Sequence, residues 1–279
     1  MRQSKAFQVL LYAAAIFTGI IMLAPFIWLM LASVHTQAEL VALPLRWWPQ
    51  NFFTDRYVSI FTNPNNSEFK FALRNSMIVS SAVVVVSLVV GVFGAYAFAR
   101  MRFFGRRVIL MTFLFTYMLP QIALLIPLYM ILNNLKLLDN MLGLVIVDCS
   151  LVVPFVLWIL SNYFLTIPLD LEESAWIDGA SRVGALFRIV LPSARPGIFA
   201  ACMFAFLLAW DEFMFALVFT SSNAARTIPV AVAQFSAQHS TDFGLVAAGG
   251  VLAALPPVIL AIIFQRNVAS GLVAGAVKT

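Results

Sequence analysis

Apolar residues in this chain fall in long unbroken runs rather than at the period of a half-buried helix or strand. Six runs, at roughly 8–33, 72–99, 107–132, 142–165, 197–219 and 243–265, each reach or exceed the ~20 residues that a helix needs to cross a bilayer. A helix that is apolar all round has no polar face to show to water, so lipid or protein must cover it. The pattern predicts an all-α polytopic membrane protein with six transmembrane helices in a single domain, residues 1–279. The prolines inside the runs, Pro25, Pro120, Pro127, Pro154, Pro256 and Pro257, are tolerable where neighbouring helices satisfy the freed backbone, and they predict kinks. Gly91 with Ala95 predicts a close helix–helix contact. The first run, from Ala6 to about Val34, far exceeds the ~7–15 apolar residues of a secretion signal, so it reads as an uncleaved anchor.

Composition sharpens this picture. Of 279 residues, 62% are hydrophobic and 10% charged, against about 25% charged in a soluble domain. The net charge of +5 does not point to nucleic acid, because the basic residues form no aromatic-interleaved patch. They sit instead at the ends of the runs. Arg2 and Lys5, then Arg100, Arg102, Arg106 and Arg107, then Arg182, Arg188 and Arg195, then Arg266 and Lys278 mark alternate connections. The positive-inside rule puts those connections and both termini in the cytoplasm, with loops 34–71 and 220–242 outside. Trp47 and Trp48 read as interfacial aromatics, and His35 and His239 as solvated loop residues. Cys149 and Cys202 lie in different apolar runs and read as small core residues rather than a disulfide.

The segment Thr166–Gly197, TIPLDLEESAWIDGASRVGALFRIVLPSARPG, is not an ordinary loop. Asp170 stands three residues before Glu173, the spacing of a capping box, which predicts a helix to about Asp178. Gly179 is placed to end it in a left-handed conformation. Ser181 is placed to cap a second short helix that stops before Pro192. The result is a helix–turn–helix over 166–197 at the cytoplasmic surface. The small residues Ser174 and Ala175 suit a groove on another protein. Resting on lipid headgroups is the alternative, and adjacent acidic residues disfavour it.

The pattern Glu173-Ser174-Ala175, three residues, Gly179, nine residues, Ile189, one residue, Leu191-Pro192 resembles the EAA loop of ABC-importer permeases, with Ser174 in place of the usual alanine. LRNSMIVS at 73–80, AYAFARMRFFGRR at 95–107, LPQIALLIPLYMILNNLKLLDN at 119–140 and GLVAGAVKT at 271–279 are similar to the carbohydrate-importer branch that includes the maltose permeases. The resemblance implies a type I importer permease fold and half of a path for a sugar or related polyol. It implies a second homologous permease as partner, two copies of a cytoplasmic ATPase holding ATP and Mg, and an external solute-binding protein. Glu172, Glu173, Ser174, Ala175, Asp178, Gly179, Ala180 and Pro192 would then form the surface that couples to the ATPase.

The chain itself carries no motor. A P-loop needs lysine after glycine, and none of Lys5, Lys70, Lys136 and Lys278 has that neighbour. No metal-ligand spacing and no nucleophile–base pair is visible, so the chain is expected to be neither an enzyme nor a cofactor binder.

Acidic residues inside the runs cost about 2.5–3.5 kcal/mol each at a helix centre, which singles out Asp148, Asp211 and Glu212. They either line the solute path or pair at a subunit interface. Trp210 would offer an apolar face to a sugar ring or pack against a partner, and Asn75, Tyr117 and Gln121 are further path candidates. In the family, asparagine is usual at the position of Asp211. Two rivals remain open: a permease for another solute, such as a glycerol-phosphate ester or an amino acid, and an ATP-independent secondary transporter. The latter needs internal repeats or a coupling-ion site, and no repeat is evident. Anionic cargo calls for arginine on the path, yet only Arg74 stands near an outer mouth.

Overall fold

The computed structural model describes residues 5–63, 67–239 and 242–276. Arg2 and Lys278, counted above toward the orientation, lie outside the described residues. Among the described residues every regular element is helical. In chain order these are α1 (Lys5–Val34), α2 (Gln37–Leu40), α3 (Asp55–Thr62), α4 (Ser67–Arg100), α5 (Arg106–Tyr117), α6 (Gln121–Asn134) and α7 (Met141–Thr166). There follow α8 (Asp170–Ile177), α9 (Arg182–Ala185), a π turn (Leu186–Val190), α10 (Leu191–Ser193), α11 (Arg195–Trp210), α12 (Met214–Phe219), α13 (Ile228–Gln238) and α14 (Phe243–Ala276).

Four helices, Phe7–Val34, Glu68–Arg100, Met141–Thr166 and Phe243–Gln265, are long and apolar enough to cross a membrane unaided. The prolines within α1, α6, α7 and α14 leave those helices continuous. The other two expected spans are broken. In place of one helix over 107–132, α5 and α6 meet at a 94° bend. Pro120 is the cause: it has no N–H to give, and its ring keeps Leu119 out of the helical region. The expected fifth span, 197–219, divides into α11 and α12 at Asp211–Phe213. Alone, the 16 residues of α11 reach about 24 Å, short of the ~30 Å hydrocarbon layer.

The described residues divide into two compact units, Met1–Lys70 with Val232–Ala254, and Phe71–Ala231 with Leu255–Thr279. In the first, the most apolar stretch of α1 is wholly exposed, and the segment after it is tightly folded. Thr36 and Glu39 form a capping box at the start of α2, and the second Glu39 oxygen accepts from the Gln50 backbone at 2.9 Å. His35 is not a solvated loop residue: it is fully buried, with Nδ1 2.7 Å from the Leu31 carbonyl and Nε2 3.1 Å from that of Arg46. His239 bonds the Phe235 carbonyl and packs on its ring at 4.3 Å. Trp47 and Trp48 are exposed, as interfacial aromatics would be.

The second unit is organised around α7, which packs against α5, α11 and α12, while α6 packs against α12. Small residues set the approach of α4 to α7. A Cβ on Gly91 would stand 2.6 Å from Val156, and Ala95 is fully buried. Gly197 plays the same part between α11 and α7, where its absent side chain leaves room for the Tyr163 ring. Cys149 and Cys202 are both free and half-buried.

Candidate functional site

Two features of the second unit carry the sequence-predicted residues. The first is the segment after α7. Helix α8 starts at Asp170, but the expected cap does not form: the preceding residue, Leu169, is helical and offers no side-chain acceptor. With Asp170 already inside the first turn, its carboxylate and those of Glu172 and Glu173 favour the helix start only through the macrodipole. The C-terminal end is as expected. Gly179 has φ +88°, its N–H donates to Trp176 O at 3.0 Å, and the Ala180 N–H donates to Ala175 O at 2.8 Å. Those two bonds make a Schellman turn. Ser181 caps α9 by accepting from the Gly184 N–H at 3.1 Å.

The second short helix does not stop before Pro192. A π turn leads into α10, where Pro192 lies in the first helical positions and needs no donor. The chain then turns by 80° into α11. Ala185, Leu186 and Val190 are buried and root the segment, while Phe187 meets Phe93 of α4 edge-on at 6.2 Å.

Glu172 and Glu173 take opposite roles. Glu172 is fully buried. Its Oε1 accepts from Arg100 Nε at 2.5 Å and its Oε2 from the Tyr96 hydroxyl at 2.9 Å. Arg100 also donates to Ile167 O at 2.8 Å. Glu172, grouped by sequence with the ATPase-facing residues, therefore fastens α8 to the end of α4 and is closed to a partner. Glu173, Ser174, Asp178 and Gly179 are exposed, Ala175 and Ala180 partly so, and Pro192 is exposed. A groove of about 250 Å³ runs beside Ala175, Asp178, Gly179, Ala180, Gly184 and Arg188. Arg100 and Tyr96 were not among the sequence candidates, because an arginine ending an apolar run counts first as a topology marker.

The second feature is a cavity of about 550 Å³ that collects Tyr117, Gln121, Asp148, Asp211 and Glu212. Both broken spans open onto it. Tyr117 ends α5 and Gln121 begins α6, Asp211 ends α11, and Phe213 and Met214 lead into α12. Irregular backbone at membrane depth is tolerated only where protein buries it or a wet cavity borders it. Phe204 lines the same space, and Phe155 joins it to Tyr117 through a stacked contact at 5.7 Å and an edge contact at 6.1 Å.

The three acids differ. Glu212 is buried and spends both oxygens on the start of α12, accepting from the Phe215 N–H at 2.7 Å and the Ala216 N–H at 2.9 Å. Asp148 is 3% exposed, and its Oδ1 has no hydrogen-bond partner. Asp211 is exposed to the cavity, and among the described residues its carboxylate has no partner.

Two candidates lie elsewhere. Trp210 is turned into the core, stacked on Phe206 at 5.4 Å. Asn75 is buried and donates to the carbonyls of Asn223 and Arg226, both at 3.0 Å, while the neighbouring Ser76 accepts from the Ile228 N–H at 2.7 Å. They hold the connection between α12 and α13.

This combination, a helix–turn–helix segment after α7 and a cavity at two broken spans, can be set beside known proteins. Residues 68–273 match the family described as the binding-protein-dependent transport system inner membrane component. The chain belongs to this permease family. It is therefore a multi-pass inner-membrane component of an ABC importer. The trehalose/maltose transport system permease protein of Thermococcus litoralis is 37% identical over 100% of this chain and 99% of that relative. The sulfoquinovosyl glycerol transport system permease protein of Agrobacterium fabrum is 36% identical over 92% and 89%. A chain of the solved bacterial ABC transporter that imports the acidic polysaccharide alginate shares the fold, with a TM-score of 0.76 over 95% of this permease at 23% identity.

Proposed function

We propose that this permease pairs with a second, homologous one to form the path for a sugar or related polyol, with both termini in the cytoplasm. An external binding protein supplies the solute. Two copies of an ATPase, holding ATP and Mg, drive the cycle, and one of them docks on α8 and the turn after it. Closure of the ATPase pair is then a remote bias on a two-state membrane element. The cargo class rests on the sugar named for the Thermococcus relative and on the polar and aromatic lining of the cavity.

The observation that carries the docking role is the mounting of α8. Glu172 ties it to α4, so force on the exposed Glu173–Gly179 surface passes to a membrane helix rather than dissipating in a slack loop. The test is co-purification of the ATPase, with uptake per ATP hydrolysed in proteoliposomes, for Glu173→Lys and Gly179→Val. A Cβ at residue 179 meets nothing within 4 Å, so the substitution acts through the left-handed backbone alone, at about 1–2 kcal/mol. Both variants are expected to insert and to pair with the partner permease, yet to lose the ATPase or its coupling. Wild-type behaviour in both would remove the docking assignment.

A further inference from the structure

The cavity at the broken spans has a one-sided chemistry. Of its twelve lining residues, Asp148, Asp211 and Glu212 are acidic and none is Lys, Arg or His. Glu212 is already satisfied by two backbone donors. Two acceptors remain: the Asp211 carboxylate and Asp148 Oδ1, the latter on a side chain 3% exposed and without a partner.

The backbone does not offset this. The start of α6 at Gln121 contributes about half a positive charge, and the end of α11 at Asp211 about half a negative one. The start of α12 is consumed by Glu212. The remaining field is that of the exposed Asp211 carboxylate. An unpartnered acceptor in a site of low dielectric is costly, and a donated hydrogen bond removes that cost.

We propose that this cavity recognises its solute by accepting hydrogen bonds from hydroxyl or amine groups at Asp148 and Asp211, and that it excludes solutes carrying an anionic group. The inference rests on the permease reading above and deepens it. It separates two cargos of the kinds named for relatives at nearly equal identity, an uncharged disaccharide and a sulfonated sugar derivative, and places this permease with the former. Tyr117 and Phe204 supply the aromatic faces beside the acceptors, so an apolar ring face and donated hydroxyls can be read together.

The test measures the field of the cavity with probes of known charge. Full-length permease, in membranes of cells making the whole importer, carries Cys149→Ala and Cys202→Ala with one reporter, Leu208→Cys, on the cavity wall. Hydroxyethyl, aminoethyl and sulfonatoethyl methanethiosulfonates are compared, each rate divided by that with a free thiol in the same buffer. A negative field speeds a cation as it slows an anion, so the rates are expected to fall in the order aminoethyl, hydroxyethyl, sulfonatoethyl, with at least ~10-fold between first and last, the range over which a charged cleft changes local ion concentration. Asp211→Asn, of near-identical shape, is expected to narrow that gap severalfold.

A sulfonatoethyl rate equal to the others, or a gap unchanged in Asp211→Asn, overturns the proposal. A flat ratio with the ATPase still bound removes only the charge selection. Loss of ATPase binding with the ratio intact removes only the docking assignment.

Discussion

Arg100 Nε lies 2.5 Å from Glu172 Oε1, a contact between residues 72 positions apart that joins the end of α4 to the first turn of α8. Glu172 is fully buried and the Arg100 side chain is 8% exposed, so the pair is shielded from solvent. Tyr96 and Ile167 complete its hydrogen bonds. A buried ion pair contributes little net stability over an apolar pair, but removing one partner leaves the other charged and alone.

Truncating that pair is therefore expected to be severe. Arg100→Ala or Glu172→Ala should cost about 3–5 kcal/mol, read as a lower midpoint in thermal unfolding of the detergent-purified importer. Tyr96→Phe removes one hydrogen bond to a charged group and should cost about 1.5–3 kcal/mol. If Arg100→Ala unfolds at the wild-type temperature and keeps wild-type coupling, the pair does not mount α8.

Neighbouring acids in the cavity should separate by phenotype. Glu212→Ala leaves two backbone donors at the start of α12 without their acceptor and is expected to lower stability by about 1–2 kcal/mol, as loss of a helix cap does. Asp211→Ala removes no side-chain hydrogen bond among the described residues. It should change the half-saturating solute concentration of uptake while unfolding as wild type does. Equal destabilisation by the two would contradict the division of roles.

Asp139, in the connection before α7, supplies a pH signature. Burial opposes its ionisation, but hydrogen bonds from the Ser222 side chain and from the Ser221 and Ser222 backbone hold its carboxyl below the usual range. A depressed folded value gives stability that is full above the unfolded value, about 3.9, and is lost as pH falls through the folded one. The gap in unfolding temperature between wild type and Asp139→Asn should shrink as pH drops from about 6 to about 3. A constant gap would mean that the charge contributes nothing.

Sidedness can be checked by thiol labelling in intact cells with a reagent that does not cross the membrane, in a background lacking Cys149 and Cys202. Asn134→Cys, at the exposed end of α6, should be reached, and Val183→Cys, exposed in α9, should not. The reverse pattern would invert the membrane orientation.

The division between what sequence and tertiary structure decide runs through single residues. Hydropathy alone determined which segments are helical and apolar, because membrane solvation is a property of about twenty consecutive side chains. The spacing from Glu173 to Pro192 marked the segment proposed to dock the ATPase. Its Gly179 turn and Ser181 cap followed from sequence too, since each closes bonds to residues at most five positions away. Cavity membership was partly legible for a similar reason: an acid inside an apolar run needs a wet or polar neighbour, and Asp148, Asp211 and Glu212 found one together.

Which way each side chain faces was decided only by packing. Neighbours on a helix differ in direction by about 100°, so nothing local told that Glu172 would be sealed against Arg100 and Glu173 left outside. Helices apolar on every face carry no moment that names the buried side, which hid the inward turn of Trp210 and the clamp made by Asn75. The same limit hid the burial of His35, whose carbonyl partners include one eleven residues away. The breaks at Leu119–Pro120 and at Asp211–Phe213 are likewise tertiary decisions. A proline or an acid permits an interruption, but at membrane depth only neighbouring protein or a wet cavity can satisfy the backbone groups it frees.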